Sequence, residues 1–130
     1  MCAELDDVAS LMKKTEDLSK QIYYYSAAFG VLDRAIKTEF DEDLFAASFI
    51  TQTSYNTLVS QVNLIRSGDL NVPIQKKDID AIADQLSDLS QRVKKGSDVY
   101  PALRRIMVLT FEQTGPGRYL AERGRIPRGK

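Results

Sequence analysis

The first third of the chain has apolar side chains at alternating steps of three and four positions. Because an α-helix completes a turn every ~3.6 residues, these steps place the whole series on one helical face. The pattern predicts one long first helix with a core-facing seam, and glycine marks residues 26–30 as the place where it could bend. The seam consists of Val8, Leu11, Thr15, Leu18, Ile22, Tyr25, Phe29, Leu32 and Ile36.

A second helix is predicted after residues 38–43, because carboxylates favour the positive end of a helix dipole. The acidic run 41–43 could also bind calcium weakly, and the helix terminus explains it equally well. Gly68 is expected to end this helix. Its core-facing residues are expected to be Leu44, Phe45, Phe49, Tyr55, Leu58, Val62 and Ile65, while Ser48, Thr51 and Ser54 are small enough to let a neighbouring helix approach.

Two more helices follow with the same spacing. Gly96 is expected to end the third helix, and Ser97 is expected to cap the fourth. No segment keeps the two-residue period of a strand, and short connections favour antiparallel neighbours. The prediction is an all-α fold, an up-down-up-down antiparallel four-helix bundle over residues 1–113. The apolar stripes are Ile79, Ile82, Leu86, Leu89 and Val93, then Val99, Leu103, Ile106, Met107 and Phe111.

Charge is distributed unevenly along the chain. The whole sequence has 18 basic and 18 acidic residues, but residues 114–130 contain five basic residues and only Glu122 as an acidic one. We call this segment the basic arm. Because it also has four glycines and two prolines, it is predicted to be a loop-rich C-terminal arm, with one helical turn at residues 118–123.

The basic arm follows a helix that carries two adjacent arginines. Together they could form one continuous cationic surface, suited to a carboxylate-rich protein or to RNA phosphates. Nucleic acid is the less favoured partner, since the basic excess lies in an appendage and not on the folded body. The candidate partner-binding residues are Arg104, Arg105, Arg118, Tyr119, Arg123, Arg125, Arg128 and Lys130.

Several kinds of chemistry lack the residues they need. The chain has no histidine, which removes di-iron Glu-x-x-His pairs, histidine zinc sites and Ser-His or Cys-His catalysis. Cys2 is the only cysteine, so no internal disulfide can form, and no phosphate-binding loop is present. We therefore expect a protein that is not an enzyme, with no cofactor, metal site or small-molecule substrate. No run is long and apolar enough to span a bilayer, so any membrane association is expected to be peripheral.

The order of these features resembles the PsbQ-like four-helix extrinsic subunits of photosystem II, including the diatom-type extra extrinsic subunit. The similar segments are residues 54–59 and 62–65 of the second helix, the start of the third helix at residues 76–78 with Leu86 and Leu89, and Tyr100 with Ala102-Leu103 in the last helix. The chain differs from plant PsbQ because it lacks the proline-bearing N-terminal extension and adds the basic arm, as the diatom-type subunit is expected to.

The resemblance implies a non-catalytic subunit on the lumenal face of photosystem II. Such a subunit binds the intrinsic photosystem subunits, supports oxygen evolution by helping to retain calcium and chloride, and ligates no manganese. Its mature form would lie in the plastid thylakoid lumen after removal of a leader. The alternative is a cytoplasmic helical adaptor, or an RNA-associated protein, that binds through the basic arm.

Overall fold

The computed structural model describes residues 1–125, with side chains to residue 123. Its helices are α1 (Cys2–Lys14), α2 (Leu18–Thr38), α3 (Glu42–Arg66), α4 (Lys76–Lys95), α5 (Tyr100–Val108), a π-helical turn (Leu109–Gln113) and α6 (Gly115–Arg125). Within residues 1–125 there is no strand, so the all-α prediction is confirmed.

The predicted single first helix is wrong, because α1 and α2 are separate helices. The backbone of Thr15 is extended, with φ −88° and ψ 129°. Asp17 then caps α2, since its carboxylate accepts a hydrogen bond from the backbone N–H of Ser19 at 3.0 Å. The helix α2 continues through Gly30 without interruption, so the break lies before α2 and not at the glycine.

The chain reverses direction between α1 and α2. The side chain of Gln21 donates to the carbonyl of Met12 at 2.8 Å, and Arg34 forms an ion pair with Glu4 at 3.0 Å. One partner's number rises as the other's falls, so the two helices are antiparallel. The apolar seam is therefore divided between two helices that face each other, and Val8 of α1 and Ile22, Tyr25 and Leu32 of α2 are buried.

The other helix pairs show their directions in the same way. Residue numbers run in opposite directions for α2 with α3, for α1 with α4 and for α5 with α4, so these pairs are antiparallel. They rise together for α3 with the π-helical turn and Thr114, so these two segments are parallel. The contacts are Phe29–Tyr55 and Ser19–Arg66, Lys13–Asp84 and Cys2–Ser90, Arg105–Asp88 and Asp98–Arg92, and finally Ser54–Thr110 and Gln61–Thr114. Hence α5 packs between α3 and α4, while α1 packs between α2 and α4.

The core-facing side of α3 differs in part from the predicted one: Leu58 is buried and Leu44, Tyr55, Val62 and Ile65 pack against the core as predicted, but two phenylalanines do not. The residues that α3 buries are Ala47, Thr51, Ser54, Leu58 and Gln61, and they recur at helical spacing. Phe45 and Phe49, predicted to face the core, are 54% and 60% exposed. Small and polar side chains thus occupy the contact with α5 and the π-helical turn, because they permit close approach and form hydrogen bonds to Thr110 and Thr114.

The prediction of a loop-rich arm is wrong for residues 115–125, which form α6. The Thr114 hydroxyl accepts a hydrogen bond from the Gly117 backbone N–H at 2.9 Å, and so caps the new helix. Thr114, Pro116 and Gly117 are buried. The start of α6 is therefore packed on the helical body, mainly against the π-helical turn.

Glycine at position 117 is required by close packing. A Cβ atom there would lie 2.7 Å from both the Thr110 carbonyl oxygen and the Thr114 hydroxyl. We expect Gly117→Ala to lower the free energy of unfolding by about 1–3 kcal/mol, because backbone atoms must shift. The measurement is urea unfolding followed by circular dichroism.

Gly30→Ala is the matched control for this substitution. A Cβ at Gly30 would meet only the Arg34 guanidinium, at 3.8 Å, so the variant should gain up to about 1 kcal/mol from helix propensity. If Gly117→Ala were as stable as the wild type, the docking of α6 described here would be incorrect.

Tyr25 is the largest fully buried side chain. Its hydroxyl has no hydrogen-bond partner among the described residues. Burial raises the pKa of this hydroxyl well above the ordinary value of 10.0, and the Ser54 side chain opposes the increase in part. The folded state therefore favours the neutral phenol.

Tyr25→Phe should stabilise the protein by up to about 1–2 kcal/mol at neutral pH, because it removes an unpaired buried hydroxyl. In the wild type, Tyr25 is neutral in both the folded and the unfolded chain below pH 10, so stability is retained there. As the pH rises further, only the unfolded chain ionises, and the free energy of unfolding falls. The variant should lose less stability between pH 7 and about pH 11. Urea unfolding at both pH values checks this, with Tyr24→Phe as control; equal losses in both variants would contradict it.

Candidate protein-docking site

Arg104 and Arg105 are both exposed on α5, as a docking role requires. Arg105 lies 3.4 Å from Asp88, a carboxylate that also pairs with Arg92 at 2.8 Å. Arg104 makes no ion pair or hydrogen bond within residues 1–125. Its charge is therefore available to a partner, whereas that of Arg105 is partly compensated.

Arg118 and Arg123 of α6 are also exposed, and their side chains contact neighbouring residues of the same part of the chain. Arg118 donates to the Gln113 backbone carbonyl at 3.4 Å. Arg123 donates to the Tyr119 hydroxyl at 2.8 Å, and its guanidinium lies 5.4 Å from the centre of that ring. The side chain of Arg125 and the whole of Arg128 and Lys130 lie outside the described residues.

A groove lies between α4 and the segment formed by α5 and the π-helical turn, and Arg104 and Arg105 are part of its lining. This α4–α5 groove has a volume of about 360 Å³, and its lining is Ala81, Asp84, Gln85, Arg104, Arg105, Val108, Leu109 and Gln113. Because Gln113 lines the groove and its backbone carbonyl also accepts the hydrogen bond from Arg118, it connects α6 to this groove. Tyr119 and Arg123 make no such connection in the described chain, so one continuous cationic surface stays a prediction.

A second groove, between α3 and α5, was missed in the sequence. It has a volume of about 400 Å³ and is lined by Phe45, Ala46, Phe49, Ile50, Tyr100, Leu103, Arg104 and Met107. We call it the aromatic groove. The sequence does contain a signal for this groove. The small polar residues of α3 indicate the face that a neighbouring helix approaches, so the phenylalanines must lie on another face.

Two of the described side chains, Lys13 and Tyr25, have a raised pKa. The pKa of exposed Lys13 is raised by its hydrogen bond and charge interaction with Asp84, whose carboxylate is 2.7 Å away. The other group is the buried Tyr25. Among the described residues, neither Lys13 nor Tyr25 lies beside a nucleophile and base pair of the kind that acyl-transfer sites contain.

Comparison of the chain with protein-family models, curated proteins and solved structures finds no match. None of the helices described here has the length and apolar character needed to cross a membrane. Evidence about function therefore comes from the grooves and their charges.

The position of the α6 arginines depends on Thr114. Its hydroxyl caps α6 and donates to the side-chain oxygen of Gln61 at 3.0 Å. Thr114→Val should accelerate backbone amide exchange in α6 by about tenfold, because losing a cap costs about 1 kcal/mol or more. Hydrogen exchange read by mass spectrometry measures this.

Thr53→Val is the matched control for the Thr114 substitution. Thr53 is half-buried on α3 and its side chain makes no hydrogen bond within the described chain. It should leave exchange in α6 unchanged. Unaltered α6 exchange in Thr114→Val would show that the cap does not hold this helix.

Proposed function

We propose that this chain is a non-catalytic helical protein that docks on an acidic surface of a partner protein through its α5–α6 side. The observation that carries the proposal is the α4–α5 groove, an apolar cleft bordered by Arg104 and Arg105 and ending where Arg118 is attached to Gln113. Apolar surface beside exposed arginines is the composition of protein-binding hot spots, because the cleft contributes burial and the arginines contribute directed ion pairs.

The docking surface is better suited to the separate carboxylates of a protein than to the continuous phosphate backbone of a nucleic acid. Asp84 and Asp88 lie beside the groove, and their negative charge would oppose a continuous phosphate backbone. A protein can instead place individual carboxylates at the arginines and avoid the aspartates. This argument favours a protein partner, and nucleic acid is the less favoured alternative.

The particular partner we propose is the lumenal face of photosystem II, with this chain as a PsbQ-like extrinsic subunit that supports oxygen evolution. Supporting it are the resemblance of residues 54–65 and the helix order. In this proposal α2 to α5 are the four helices of the up-down-up-down bundle, and α1 is an additional helix. The location is then the plastid thylakoid lumen, and a cytoplasmic adaptor is the alternative.

The test is rebinding to photosystem II membranes from which extrinsic subunits have been washed with salt. The wild type should bind and raise oxygen evolution, while the double variant Arg105→Glu, Arg118→Glu should bind at least about tenfold more weakly, because two ion pairs become repulsive. Lys14→Glu with Lys20→Glu is the matched control, since both lysines are exposed on α1 and α2, and it should bind as the wild type does.

Two results would contradict the proposal in different ways. Equal binding by the charge-reversed and control variants would show that the α5–α6 side is not the docking surface. Absence of membrane binding, together with binding to a single-stranded RNA whose affinity falls linearly on a log-log salt plot, would replace the protein partner by nucleic acid.

A further inference from the structure

The aromatic groove exposes large aromatic side chains to solvent. Phe45 and Phe49 form a ridge along one edge, and Tyr100, which is 52% exposed, lies on the α5 side. The exposed ring of Phe40 extends the ridge, with its centre 6.2 Å from that of Phe45. A contiguous exposed aromatic patch of this kind is typical of an interaction surface.

Both signs of charge border this patch. Arg104 is part of the groove lining and has no ionic partner within residues 1–125. At the start of α3, exposed carboxylates occupy residues 41–43. Glu42 precedes Phe45 by three positions, so it lies on the same face of α3 one turn earlier. A partner must therefore present an apolar ridge together with an anionic and a cationic group.

That requirement distinguishes between possible partners. An anionic lipid surface would be repelled by the carboxylates at residues 41–43, and a uniformly acidic or basic helix would meet one like charge. A second copy of this chain has the required elements in complementary order: Phe45 and Phe49 as the ridge, Glu42 as the anion and Arg104 as the cation. The formal net charge of the chain is zero, so no long-range repulsion opposes self-association.

We propose that two copies of this chain associate about a two-fold axis through their aromatic grooves. The rotation reverses the direction of α3, so that Phe45 and Phe49 of each copy enter the groove of the other. It also brings the acidic start of one α3 alongside α5 of the other copy, where Glu42 pairs with Arg104. The interface is isologous, each contact occurring twice.

Sedimentation equilibrium of the purified Cys2→Ser protein tests the association without any partner, and the substitution removes disulfide-linked dimers. The mass should rise from 14.6 kDa toward twice that value between about 1 µM and about 1 mM protein. Phe49→Glu should weaken the dimer at least about tenfold, because it places a charge in the apolar interface. Tyr23→Glu, at an exposed aromatic residue of α2 outside the groove, should leave the dimer unchanged.

A charge exchange tests the orientation of the two copies. Glu42→Arg and Arg104→Glu should each weaken the dimer, and the double variant should recover most of the wild-type affinity. Circular dichroism should be the same for all variants, because the substituted side chains are exposed. Failure of the double variant to recover would overturn the Glu42–Arg104 pairing.

Two results would overturn the dimer itself. One is a wild-type mass that stays at that of the monomer throughout the concentration range. The other is a dimer that Phe49→Glu leaves intact. If the wild type is monomeric and Phe49→Glu abolishes binding to photosystem II membranes, the groove belongs to an external protein. These outcomes are independent of the α4–α5 groove, which is tested by substitutions at Arg105 and Arg118.

Discussion

The contact between α3 and the π-helical turn depends on a chain of buried hydrogen bonds. The hydroxyls of Ser54 and Thr110 are 2.6 Å apart, the Gln61 amide donates to the Thr110 carbonyl at 3.1 Å, and Thr114 donates to Gln61 at 3.0 Å. Because these groups are buried, leaving any one unpaired would cost free energy, so the network fixes the rotation of α3 about its own axis.

The exposed features of the molecule follow from that rotation. With Ser54 and Gln61 facing inward, Phe45 and Phe49 must face outward, since they lie on another side of the same helix. Thr114 belongs both to the network and to the cap of α6. The same hydrogen bonds therefore expose the aromatic groove on one side of α5 and position Arg118 beside Gln113, which lines the α4–α5 groove.

Arg104 lies between the aromatic groove and the α4–α5 groove and is part of the lining of both. This position gives the molecule two adjacent surfaces with a shared cation, one beside apolar aromatic rings and the other beside Arg105. A helix exposes residues i and i+1 about 100° apart, so two successive arginines on α5 can serve different neighbours. The exposed arginines of α5, Arg104 and Arg105, thus together take part in both of the proposed contacts.

The sequence by itself determined the helical class and several helix ends, because periodicity and glycine positions are local properties. The predicted Ser97 cap of α5 is wrong, because Val99 occupies the cap position and the Asp98 carboxylate accepts the hydrogen bond from the Tyr100 N–H. Gly96 ends α4 with φ 66° as predicted, and the charge excess near the C-terminus needed no structure to be recognised. Periodicity could not separate α1 from α2, because Thr15 continues the apolar spacing while its backbone is extended. Nor could it choose between the two possible inward faces of α3, one apolar and one small and polar. Tertiary structure decided the break between α1 and α2 and the inward face of α3. The reason is that burying Ser54 or Gln61 stabilises the fold only when hydrogen-bond partners far away in the sequence are in place.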